Sequence, residues 1–192
     1  VAITVSSPSK EETIYVHKDF ICYYSPFFRA AFNSPFIEGQ TQTMEFTDTN
    51  PYIFGLFVRW IYSQDLKGCQ ENPELAPYLV ELWILADIAL IPQLQNHIMR
   101  ILCGYSKEWC PGSKTLLTVY AKTGPDSQTR KLVIKSYALR SPSNEFPTTV
   151  GLHEKIIFDV AVCLKNHLNL YRAGCNARIL AQDYYVSENA GL

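Results

Sequence analysis

The chain has 192 residues, 47% of them apolar, and a formal net charge of −1. That suits one domain, or one domain with an extension, burying roughly 70% of its unfolded surface, and it excludes a disordered or collagen-like chain. The balanced charge argues against electrostatic capture of nucleic acid, and no apolar run reaches the roughly 20 residues that cross a bilayer, since Glu81 and Asp87 interrupt the densest one. Charge is nevertheless uneven. Residues 1–110 carry 7 basic and 12 acidic side chains and residues 111–192 carry 10 and 6, which implies two parts with different surfaces.

Val1 to Ser6 alternates, with Val1, Ile3 and Val5 on one face, so it reads as a strand and not as a signal peptide. The missing initiating Met suggests a fragment. Residues 7–12 read as a polar turn, and Ile14 and Val16 continue as a second strand, completing a hairpin. Asp19 is placed to cap a short helix over Phe20 to Tyr24. Ser25-Pro26 starts another, because serine accepts a hydrogen bond from an orphan backbone N–H and proline has none to lose in the first turn. Asn33-Ser34-Pro35 ends it near Phe32.

Thr43 to Thr47 alternates as a third strand. Asn50-Pro51 repeats the cap-plus-proline signal before a helix with Phe54, Phe57, Val58 and Ile61 on one stripe. After a polar loop over Gly68 to Pro77, Leu79, Leu82, Trp83, Ala86 and Leu90 form the next stripe. Pro92 restarts a helix with Leu94, Ile98, Ile101 and Leu102 inward, so Ile91-Pro92 marks a bend between consecutive helices. Gly104, Pro111 and Gly112 mark a boundary. Lys114 to Ala121, Ser127 to Leu139 and His153 to Leu170 read as helices, the last burying Ile156, Ile157, Val160, Leu164 and Leu168. Ser141 to Gly151 reads as a loop, and the last dozen residues, lacking a period, as a frayed end.

The six cysteines form no C-x-x-C pair, and Cys22, Cys103 and Cys163 fall inside apolar helical patterns. Buried reduced thiols are the simplest reading; a disulfide framework and a zinc site are the alternatives. His153-Glu154 opens like the zinc-protease helix, but Ile157 stands where the second imidazole belongs. His17-Lys18 has no adjacent nucleophile and third orienting group, so it reads as a surface pair at a strand end. Lys122, Arg130, Lys131, Lys135 and Arg140 read as a solvated basic face. No catalytic residues, metal ligands or cofactor-binding residues are assigned.

The order of elements, with Tyr15-Val16-His17-Lys18, Ser25-Pro26-Phe27-Phe28-Arg29-Ala30-Ala31-Phe32, Trp60-Ile61-Tyr62 and Leu85-Ala86-Asp87 followed by Ile91-Pro92, Leu94 and Gln95, resembles a BTB/POZ domain. It looks most like fungal BTB proteins with a helical C-terminal extension. The resemblance implies an α+β fold, a small three-stranded sheet packed by about five helices, followed by an all-helical extension. It places the domain at 1–103, a linker at 104–113 and the extension at 114–192.

It also implies a non-catalytic protein-binding adaptor or scaffold in the cytoplasm or nucleus. Its partners would be proteins, with homodimers and a cullin-type ubiquitin ligase scaffold as the specific options, and neither nucleic acid nor membrane. Cullin-binding members carry a hydrophobic-x-Glu motif after the Ser-Pro helix; the matching residues here are Ala31, Phe32 and Asn33, so the glutamate is absent. The aromatic cluster Tyr23, Tyr24, Phe27, Phe28, Phe32 and Phe36 reads mostly as core, with an exposed member among Tyr24, Phe28 and Phe32 as an interface anchor. With the motif positions added, Tyr24, Phe28, Ala31, Phe32 and Asn33 are the candidate binding residues. An enzyme of unrecognised type and a tetramerising channel domain of the same superfold are the alternatives. A pocket with convergent titrating groups would favour the first; intersubunit zinc ligands and a membrane segment would favour the second.

Overall fold

A computed structural model of the chain describes residues 1–8, 10–105, 108–140, 153–172 and 180–188. The opening hairpin is β1 (Ala2–Ser7) against β2 (Lys10–Tyr15), paired antiparallel with Ile3 opposite Ile14 and Ser7 opposite Lys10. Pairing takes up Lys10 to Glu12, which the polar composition had suggested as turn. Then follow α1 (Lys18–Tyr24), α2 (Pro26–Phe32), α3 (Ile37–Thr41), β3 (Thr43–Phe46), α4 (Pro51–Ser63), α5 (Ala76–Ile88), α6 (Pro92–Gly104), α7 (Ser113–Lys122), α8 (Gln128–Arg140) and α9 (Glu154–Arg172). The fold is α+β, with a three-stranded sheet ordered β2-β1-β3. Because β3 runs parallel to β1, with Ile3 opposite Met44 and Val5 opposite Phe46, the chain must cross over between them, and α1 to α3 supply that connection.

The residues group into two compact units. One holds Val1–Gln70, Glu81–Gln95 and the described residues 187–188; the other holds Glu71–Val80 and Asn96–Val186. In the first unit, Ile3 and Val5 are fully buried on one face of the sheet. Phe28, Phe32, Phe54 and Phe57 join them, with Phe28 stacked on Phe32 at 5.9 Å and tilted against Phe57 at 5.9 Å and Phe46 at 5.6 Å. Trp83 is buried too, as its stripe requires.

Local chemistry fixes several helix ends. Ser25 Oγ accepts from the Phe28 N–H at 3.2 Å and donates to the Ala89 carbonyl at 2.6 Å, in a fully buried position. Ser25→Ala removes the cap and orphans a buried carbonyl, so it is expected to cost about 1–3 kcal/mol in a urea titration. Asn50 caps α4 through the Tyr52 N–H at 2.9 Å. α1 differs from expectation: it begins at Lys18 behind His17, and Asp19 lies in its first turn, where a carboxylate suits the positive end of the helix. The bend before Pro92 is a Schellman closure, with the Leu90 N–H on Asp87 O, the Ile91 N–H on Ala86 O, and Leu90 left-handed at φ 57°.

In the second unit, α8 packs on α7 and α9. Tyr105 and Trp109, within the stretch read as a linker, are buried, and Arg140 Nη1 donates to the Trp109 carbonyl at 3.3 Å. α9 buries only Ile156 and Val160. Ile157 and Leu168, expected inside, are 42% and 55% exposed, because packing against α8 covers only a narrow strip of α9. Residues 180–188 are more ordered than the lack of period in the last dozen residues suggested. A 3₁₀ turn over Ala181–Tyr184 buries Tyr184, and Asn96 mimics a strand partner, donating to Val186 O at 2.9 Å and accepting from its N–H at 2.7 Å. The loop expected at Ser141 to Gly151 lies outside the described residues, as does Cys175.

Candidate protein-binding surface

Phe28 and Phe32, two of the candidate binding residues, are 0% and 1% exposed. They correct the reading of the aromatic cluster: both are spokes of the core, and neither ring is available to a partner. Helix geometry explains this. Residues four apart share a face, and on α2 that face turns to β3 and α4, where Phe46 and Phe57 wait. Tyr24 is half-buried, its ring edge-on to Trp60 at 5.7 Å. Ala31 is half-buried and Asn33 exposed.

Asn33 closes α2, and its side-chain amide donates back to Arg29 O at 2.9 Å. The Phe32 carbonyl is taken by Lys18 Nζ at 2.9 Å and Gln42 Nε2 at 3.0 Å. The next turn presents Phe36 and Ile37 to solvent, 71% and 64% exposed. It is held tightly: a Cβ at Gly39 would stand 1.9 Å from the Ser34 carbonyl oxygen, so only glycine fits.

The structure brings together a second group that the candidate set did not contain. Phe20, Tyr23 and Tyr62 are 45%, 76% and 43% exposed on α1 and the last turn of α4. The Phe20 and Tyr62 rings lie 4.9 Å apart, and Tyr23 is edge-on to Tyr24 at 4.9 Å. His17 pins the patch, with Nδ1 2.6 Å from Tyr62 Oη and its backbone N–H donating to that oxygen at 3.0 Å. Both contacts are satisfied when the phenol donates to an unprotonated Nδ1. Its signal lay in the helical period. Ile21 and Cys22 are the buried residues of α1, and at 100° per residue Phe20 and Tyr23 fall on the side opposite their midpoint.

Four of the described cysteines are held away from the reactive thiolate form. Burial raises the thiols of Cys22, Cys69 and Cys163 and pushes Cys103 up to about 11, which disfavours the nucleophilic thiolate. The five described cysteines are free thiols, three of them buried. No cluster of three or more His, Cys, Asp or Glu among the described residues could hold a metal, and no described helix is long and apolar enough to cross a membrane. Residues 1–106 match the profile of the family described as BTB/POZ domain. No curated protein matches the chain.

Proposed function

The chain belongs to the BTB/POZ family of protein–protein interaction modules, and from that premise we propose that it is a non-catalytic adaptor or scaffold which docks a protein partner, a second copy first among them, on the Phe20–Tyr23–Tyr62 face. The observation that carries this is the exposure of three neighbouring aromatic rings on short, well-anchored helices. Such rings lose little conformational entropy on binding and dominate interface energetics. Sedimentation equilibrium of the purified chain tests it: self-association supports the homodimer, and a monomer at every concentration that captures no protein partner opposes the module.

The exposed Phe36 and Ile37 beside Asn33 favour a second reading, an adaptor for a cullin-type ubiquitin ligase. Asparagine keeps an acceptor there but lacks the charge that makes a hydrogen bond worth about 1.5–3 kcal/mol. Asn33→Glu is therefore expected to tighten binding of a cullin N-terminal domain by roughly tenfold in calorimetry. No heat from either form at high protein concentration ends this reading.

We read residues 1–103 as the domain, 104–113 as the linker and 114–192 as the extension of the kind found in fungal BTB proteins; α7, α8 and α9 support this. Free thiols support a reducing compartment, cytoplasm or nucleus.

A further inference from the structure

A cavity of ≈ 610 Å³ opens in the second unit between α8, α9 and the Ala181–Tyr184 turn. That volume is in the range that holds a small organic ligand. Its two ends differ chemically. Arg130, in the first turn of α8, lies 3.6 Å from Asp159 in the second turn of α9, and Lys135 acts electrostatically on Cys163 one turn further along each helix. The two helices therefore run in the same direction, with their early turns side by side.

The early end is lined by Arg130, Lys131 and Lys155 against the single carboxylate of Asp159. That carboxylate is already engaged, since the Tyr120 phenol donates to it at 2.5 Å. Arg130 is 5% exposed, its guanidinium 3.5 Å above the Tyr120 ring; Nη1 donates to the Thr123 carbonyl at 3.4 Å, while Nη2 makes no hydrogen bond and is ion-paired with Asp159 at 3.6 Å. Nη2 keeps an unfilled hydrogen-bond donor beside a carboxylate already held by Tyr120, and an anionic oxygen is the group that fills it. Lys135, its Nζ 5.9 Å from the centre of the Tyr184 ring, and Asp183 both line the middle of the groove. Ile134, Val162 and Tyr184 flank them, and the far end, with Leu139, Asn166, His167 and Leu170, has no Lys, Arg or carboxylate among the described residues. From Arg130 to Leu139 the groove follows α8 for about 14 Å.

We propose that this groove binds an anionic amphiphile, a medium-chain carboxylate, with its head at Arg130, Lys131 and Lys155 and its tail along Ile134, Val162 and Leu139. The head replaces water on three cationic side chains that outnumber the one carboxylate of that end, and the tail covers apolar walls that water solvates poorly.

The test is calorimetry of the full chain with dodecanoate below its micelle-forming concentration, alongside dodecanol and hexanoate. The expected result is one saturable site, with dodecanol and hexanoate each weaker by at least about tenfold. Lys131→Glu with Lys155→Glu, both at exposed positions, should weaken dodecanoate by at least about tenfold and leave thermal unfolding unchanged. Leu170→Glu should remove the preference for the longer tail. Absence of saturable binding, equal binding of dodecanol, or indifference to the charge reversal would overturn the proposal. So would saturation by a glutamate-rich amphipathic helical peptide with none by dodecanoate, which would make the groove a docking site for a protein helix.

Discussion

Phe28→Ala is expected to lower the unfolding free energy by about 3–5 kcal/mol, a large share of the roughly 5–15 kcal/mol that holds a domain folded. The ring has no exposed surface and touches four others: Phe27 at 5.1 Å, Phe46 at 5.6 Å, and Phe32 and Phe57 at 5.9 Å. These come from α2, β3 and α4, so truncation opens a void that no single element can close. A urea titration followed by tryptophan fluorescence reads the loss, and Phe28→Leu, which keeps most of the volume, should recover more than half of it. A small effect for Phe28→Ala would mean that the aromatic cluster is not the core of the first unit.

Phe20→Glu with Tyr23→Glu is expected to do the opposite, leaving stability nearly unchanged and abolishing association. Both side chains are well exposed, so the monomer loses little beyond the Phe20 contact with Tyr62. A charge at a desolvated interface has no partner to offset it. Aromatic anchors commonly contribute 2 kcal/mol or more each, so the dissociation constant should rise by roughly thirtyfold per position. Sedimentation equilibrium of wild type and variant over the same concentrations measures this, and matched far-ultraviolet circular dichroism excludes misfolding. Unchanged association would move the docking surface elsewhere, with Phe36 and Ile37 the next residues to substitute.

Capped and proline-marked elements were the legible ones. Ser25-Pro26, Asn50-Pro51 and Ile91-Pro92 each combine a side-chain acceptor or a fixed φ with an apolar stripe, and each marks a helix start or bend in the structure. α3 was not legible: its five residues span little more than one turn with a single apolar side chain, and its place depends on the approach of Gly39 to Ser34, a contact that no pattern encodes. Six helices consequently lie within the first 104 residues, where about five were expected.

The binding surface was harder to read than the fold, because aromatic residues serve cores and interfaces alike. Composition marked Tyr23 to Phe36 as dense in rings; only phase on α1 and α2 separates Tyr23, and Phe20 before it, outside from Phe28 and Phe32 inside. α9 misled for a related reason. Its apolar residues fill more than one stripe, and the sequence does not say how many neighbours the helix has. The Asn96–Val186 clamp joins residues 90 apart and left no local trace.

Hydroxyl-radical footprinting of the purified chain, compared between dilute and concentrated samples, tests the central claim most directly. If the Phe20–Tyr23–Tyr62 face docks a second copy, oxidation of those three rings falls as the chain associates, while Phe36, Ile37 and Tyr15 keep their reactivity. Association that leaves Phe20, Tyr23 and Tyr62 as reactive as in the monomer would contradict it.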